Sequence, residues 1–181
     1  KGGYRHYMEK EIHEQPDAIA HSLAAMTDKN GRLTARMSKK KLGEIDGIVL
    51  LAAGTSHYAT QIARYWIESL AGVPVVCEVA SEYRYRQPAT APYNLAIAVS
   101  QSGESLDTLM AMRHAEDCGM STIGLVNVPN STIAREANTV LPTRAGPEIG
   151  VASTKSFTAQ LTVLLCFAVV LARAKGQIDE A

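Results

Sequence analysis

The sequence predicts an α/β domain built on a parallel sheet, and three observations carry that expectation. From residue 47 onward, short apolar runs alternate with longer amphipathic ones, the pattern of successive strand-helix-strand units. The short runs are apolar at consecutive positions, as in Ile48-Val49-Leu50-Leu51-Ala52-Ala53 and Leu95-Ala96-Ile97-Ala98-Val99, which is what strands covered on both faces require. Glycine or proline marks most junctions: Gly54, Gly72, Pro74, Gly119 and Pro142. The size agrees. With 181 residues, 46% hydrophobic and 20% charged, the chain can bury one ordinary core, which excludes a disordered, collagen-like or disulfide-scaffold protein.

Residues 1–46 differ in composition and read as a leader rather than as core. Gln15-Pro16-Asp17 looks like a helix start, and Ile19, Leu23 and Met26 recur at helical spacing until Asn30-Gly31. A second short helix is expected over Leu33 to Leu42. The domain proper, 47–181, opens with the strand Ile48–Ala53; Gly54 breaks it, and His57 to Leu70 runs as a helix to Gly72. Strand Val75–Ala80 and a short helix from Ser81 to Tyr85 follow. After a loop over Pro88 to Pro92 comes the strand Leu95–Val99, then a polar turn and a helix from Leu106 to Cys118. Thr122–Val126 and Thr139–Leu141 complete five strands, separated by a short helix over Ser131–Glu136. Thr154 to Ala174 is the last helix and, by composition, the most buried.

Charge and cysteine content narrow the chemistry. Eighteen Lys+Arg balance eighteen Asp+Glu, so no overall positive field exists to hold nucleic acid or an anionic membrane surface. Cys77, Cys118 and Cys166 form no CxxC pair, pointing to a reducing compartment rather than to zinc or disulfides. The longest apolar run, Leu161 to Ala172, is short of the roughly 18 residues a bilayer span needs. Position 1 is Lys, so the chain is expected to be a piece of something longer.

Two loops follow strands and precede helices: Ala53-Gly54-Thr55-Ser56 and Ser100-Gln101-Ser102-Gly103-Glu104-Ser105. In open parallel sheets ligands sit beyond the carboxyl ends of the strands. Free backbone N–H groups and the helix dipole make such turns anion sites, and hydroxyls add neutral donors. A phosphate monoester is the natural guest. The bland alternative is that these serines only cap their helices, but two such turns after neighbouring strands favour the phosphate reading. Other phosphate and nucleophile motifs are missing: there is no GxxxxGK[ST] loop, GxGxxG is represented by one glycine after the first strand, and no GxSxG elbow surrounds Ser102.

A third stretch, Gly146 to Lys155, precedes the final helix. Glu148 either caps a backbone N–H or pairs with Lys155 on the surface; Lys155 stands at a helix start, where the dipole disfavours a cation. Val151-Ala152-Ser153 can bring backbone and hydroxyl groups to a sugar. The five histidines show no HxxxH metal spacing. His57 lies beside the first loop and is expected to face solvent. Tyr4, Tyr7, Trp66, Tyr83 and Tyr85 are assigned to packing, and Arg84 and Arg86 are candidates for a subunit contact.

Taken together, Gly54-Thr55-Ser56, Ser100-Gln101-Ser102-Gly103-Glu104-Ser105-Leu106-Asp107-Thr108 and Glu148-Ile149-Gly150-Val151-Ala152-Ser153-Thr154-Lys155 resemble the first half of the isomerase region in the glutamine:fructose-6-phosphate aminotransferase (glucosamine-6-phosphate synthase) family. The leader Tyr4-Arg5-His6-Tyr7-Met8-Glu9-Lys10-Glu11-Ile12 looks like the segment following that family's glutaminase domain. The resemblance implies one sugar isomerase (SIS) domain: a flavodoxin-like, three-layer αβα sandwich with a five-stranded parallel sheet. It also implies that Thr55, Ser56, Ser100, Gln101, Ser102 and Ser105 hold the phosphate of fructose 6-phosphate or glucosamine 6-phosphate, with Val151 and Ser153 at the sugar. The family usually has cysteine where Ala53 stands and threonine where Ser105 stands.

By the same resemblance, glutamine hydrolysis lies upstream and the isomerising residues lie in a second SIS domain downstream, so no catalytic residue is placed here and the chain alone is expected to catalyse nothing. No cofactor and no metal are implied. The expected partners are the glutaminase domain and second SIS domain of the same polypeptide, in a cytoplasmic homodimer. Two other readings use the same fold. A sugar-phosphate sensor beside a DNA-binding segment would show a basic helix-turn-helix, whereas residues 1–46 hold only the cluster Lys39-Lys40-Lys41. Another phosphosugar isomerase or deglycase would be told apart by the second domain.

Overall fold

The computed structural model describes residues 2–179. Its sheet has the order β2-β1-β3-β4-β5, with β1 at Ile48–Ala52, β2 at Val75–Val79, β3 at Leu95–Ser100, β4 at Ser121–Val126 and β5 at Thr139–Pro142. All four pairings are parallel. Every residue of β1 and β3 is buried, as their unbroken apolar runs require.

The faces divide by the two-residue period of a strand. Ile48, Leu50, Ile97, Val99 and Leu125 pack on one side with α4 (Gly54–Ala71) and α8 (Lys155–Ala174). Val49, Leu51 and Ala96 pack on the other with α5 (Ala80–Tyr83) and α6 (Leu106–Asp117). Ala98 and Val126 meet α6 and α7 (Thr132–Glu136) on that same side. The result is a three-layer αβα sandwich. The helix α8 is long and apolar enough by composition to cross a membrane, yet half of its most apolar stretch is buried inside this fold.

The amino-terminal segment departs most from expectation. Residues 7–13 form a helix, α1 (Tyr7–His13), that the charge-rich composition concealed. The next helix, α2 (Gln15–Ala25), starts where Pro16 announced it, but Ile19 and Leu23 are exposed and Ala18 and Ser22 are buried. Small residues win that face because α2 presses closely on its neighbours: Ala18 meets Ala145 and Ala159, and Ser22 donates to the carbonyl of Thr143. Over 33–42 only α3 (Lys39–Gly43) is helical, capped by Ser38 Oγ; Leu33 instead bridges to Thr27 in antiparallel fashion. Nor does the segment stand outside the core, since Met26, Ala35, Leu42 and Ile45 share one apolar cluster with α4 and α8.

Candidate functional site

Strand order reverses between β1 and β3, because β1 leads to β2 on one side while β3 leads to β4 and β5 on the other. This is the switch point where open α/β sheets bind ligands. The register pairs Leu51 with Ala98; carried two residues further, it sets Ala53 beside Ser100, about 5 Å away across the sheet. The two polar turns therefore sit side by side. Thr55 and Ser56, expected in a loop before a helix starting at His57, instead occupy the first turn of α4, which begins at Gly54, while Ser100 ends β3 and 101–105 connect it to α6.

Both helices begin without a side-chain cap: Ala53 caps α4 and Ser105 caps α6, neither bonding a first-turn amide. Their leading N–H groups stay available to an anion. The hydroxyls are arranged as acceptors within the turn. Ser100 Oγ accepts from Gly103 N at 3.0 Å and Ser102 Oγ from Glu104 N at 3.1 Å, while Ser56 Oγ accepts from Gln160 Nε2 at 2.9 Å. A hydroxyl that accepts one bond keeps its own proton to donate. Ser105 Oγ bonds Thr108 Oγ1 at 3.1 Å. Gln101 is half-buried and lines an adjoining groove of about 480 Å³ with Asn127, Arg144 and Glu148.

Gly103 holds the second turn in place. Its φ is +67°, and an added Cβ would lie 2.5 Å from Ser131 Cβ, so the bend needs glycine on both counts. Neighbouring acids are already engaged. Glu104 accepts from Thr132 N and Oγ1, both at 2.8 Å, and the hydroxyl bond foremost lowers its pKa. Asp107 pairs with Arg84 at 2.8 Å.

The third stretch behaves differently. Val151 is fully exposed, and Ser153 Oγ donates to Glu148 at 3.3 Å. Glu148 is a cap: it accepts from Thr154 N at 2.9 Å and Ser156 N at 3.2 Å, closing the start of α8. Lys155 does not pair with it. The Lys155 ammonium is buried and meets Glu14 at 2.7 Å, which, after the bond from Lys10, helps hold the Glu14 carboxyl below its usual pKa.

Glu11, which nothing in the local sequence marked, organises the same loop. Buried to 2% exposure, its carboxylate accepts from Ile149 N at 2.6 Å and from Gly150 N at 3.1 Å. Any Cβ on Gly150 would stand 2.6 Å from Glu11 Oε2. Elsewhere, His57 turns inward, its Nε2 3.0 Å from Gln61 Nε2 and its Nδ1 buried without a partner among the described residues. Arg84 and Arg86 are engaged within the chain, with Asp107 and Glu78. Tyr83 is buried, but Tyr85 is 78% exposed, outside the core, with the Arg84 guanidinium 4.7 Å over its ring.

Comparison with known proteins decides the family, because the model of the SIS domain matches residues 41–170. The chain belongs to the SIS domain family. This SIS chain is 50% identical over 181 residues to glutamine-fructose-6-phosphate aminotransferase (isomerizing) of Zymomonas mobilis, covering 99% of itself and 30% of that protein. The Caulobacter vibrioides protein of the same name is 48% identical, with 100% of this chain and 30% of that protein covered. The chain thus spans about a third of the curated relatives it matches. Among solved structures, the C-terminal domain of glucosamine-fructose-6-phosphate aminotransferase from Francisella tularensis superposes with a TM-score of 0.94 at 41% identity, over 99% of this chain and 51% of that one.

Proposed function

We propose that this SIS chain is the sugar-phosphate-binding first half of the isomerase region of a glucosamine-6-phosphate synthase. One observation carries the reading: two uncapped helix starts stand side by side at the sheet's switch point, one carrying Thr55 and Ser56 in its first turn and the other preceded by the hydroxyl-bearing turn 100–105. The phosphate of fructose 6-phosphate or glucosamine 6-phosphate is held by first-turn amides of α4 and α6 and by Thr55, Ser56, Ser100, Gln101, Ser102 and Ser105. Neutral donors do this work, since Lys155 is committed to Glu14. Val151 and Ser153 meet the sugar, on the loop that Glu11 and Glu148 fix.

The rest of the proposal rests on the relatives' name together with the family resemblance of the motifs. In the whole polypeptide, ammonia from glutamine is passed to fructose 6-phosphate and the adduct is isomerised by acid–base chemistry, with a glutaminase domain before this chain and a second SIS domain after it. The exposed apolar residues Met8, Ile12, Ile19 and Leu23 suit contact with such neighbours, in a cytoplasmic dimer. By itself the chain binds and does not turn over substrate. Calorimetric titration with glucosamine 6-phosphate tests the site. A lost hydrogen bond to a charged acceptor costs about 1.5 to 3 kcal/mol, so Ser102→Ala and Thr55→Ala each weaken binding about tenfold or more. Unchanged affinity in both variants refutes the pocket.

A further inference from the structure

The far end of α8 closes a cavity of about 310 Å³ that the sugar-phosphate reading does not use. At about 1.5 Å of rise per residue, Arg173 in the last turn lies roughly 27 Å along the axis from Lys155 in the first. The cavity has an apolar floor that includes Leu33, Met37, Leu42 and Val170. Arg32, Lys39 and Arg173 also line it, and among the described residues no carboxylate does. Such a wall attracts negative charge and dry surface together.

Its geometry is fixed rather than loose. The Asp28 carboxylate accepts from the amides of Asn30 and Arg32 at 2.8 and 3.0 Å, Thr34 N donates to Met26 O at 2.8 Å, and Lys175 Nζ donates to Gly43 O at 2.8 Å. These bonds hold the 27–33 turn, α3 and the end of α8 around the opening. Arg173 lines the cavity while the Nε of the same guanidinium is buried behind the wall with no hydrogen-bond partner among the described residues, so the side chain's charge is not met by a bond at that atom. A cation in the last helical turn also complements the helix dipole. That role asks only for a nearby charge, which Lys175 already supplies, and does not explain the apolar floor beside three cations.

We propose that this cavity binds a small organic anion, its carboxylate, sulfonate or phosphate set against Arg173 and Arg32 and its apolar body on Leu33, Met37 and Val170. The volume lies at the lower end for ligand sites, which limits the body to about three rings. The probe is 1-anilinonaphthalene-8-sulfonate, titrated by fluorescence into the full chain beside its uncharged counterpart N-phenyl-1-naphthylamine. One saturable site is expected, with the sulfonate binding about tenfold tighter than the neutral dye and unaffected by excess fructose 6-phosphate. Arg173→Met removes most of that preference. Arg32→Ala, at an exposed position that spares the fold, reduces it about threefold. Equal affinity of the two dyes, no saturable site, an unchanged preference in both variants, or displacement by fructose 6-phosphate overturns the proposal; the last of these leaves the sugar-phosphate reading standing.

Discussion

Replacing Glu11 with alanine strips the 148–153 loop of its anchor, and the structure sets the size of the effect. Two amides, Ile149 and Gly150, lose a charged acceptor at 2.6 and 3.1 Å. Each such bond is worth about 1.5 to 3 kcal/mol when fully buried. Ile149 is 61% exposed, so water replaces part of what is lost, and the net cost falls to about 2 kcal/mol for the pair. In a domain of this size that lowers the melting temperature by roughly 4 to 8 °C. Glu11→Gln keeps one carbonyl acceptor and loses about half as much. Thermal unfolding by circular dichroism gives the shift, and amide hydrogen exchange locates it: the amides of Ile149 and Gly150 are protected in the parent chain and exchange freely in Glu11→Ala. A melting change under about 1 °C, or equal exchange at both amides, refutes the anchoring role.

Gly103 and Gly54 both have positive φ, +67° and +57°, but only Gly103 would drive a Cβ into a neighbour. Gly54→Ala therefore costs about 1 to 2 kcal/mol, and Gly103→Ala costs that plus the displacement of Ser131, about 3 kcal/mol or more in all; equal losses in urea unfolding sink the distinction. The Arg113–Glu136 pair, at 2.6 and 2.7 Å, lowers the Glu136 pKa below 4.5, chiefly through its side-chain hydrogen bond. A depressed carboxyl stabilises the fold fully above 4.5 and loses that contribution as pH falls through the folded value. Glu136→Gln thus flattens the acid limb of the stability curve by under about 1 kcal/mol, the pair being partly exposed; an acid limb identical to that of the parent chain contradicts this.

The strands and the two polar turns were legible because their signals are local. An unbroken apolar run such as Leu95–Val99 allows little but a covered strand, and a serine-glycine turn before an amphipathic run announces a helix start. Glu11 was not legible. Its partners lie 138 and 139 residues along the chain, and in sequence it is one more charge in a charged segment. The buried face of α2 is hidden in the sequence for a related reason: hydropathy favours Ile19 and Leu23, whereas close packing against Ala145 and Ala159 selects Ala18. Lys155 at a helix start signalled a partner, but Glu14, not the nearby Glu148, provides it.

The seam between the opening helices and α8 bears on where this domain can be cut. A polypeptide trimmed to the 130 or so residues that the family pattern recognises, beginning at 41, would retain every strand and both polar turns. It would also discard Glu11, Glu14 and Ala18, leaving the lysine of α8 buried beside an empty place and the sugar-side loop unmoored. The smallest excisable unit is therefore larger than the recognisable one, and its edge belongs before Tyr7.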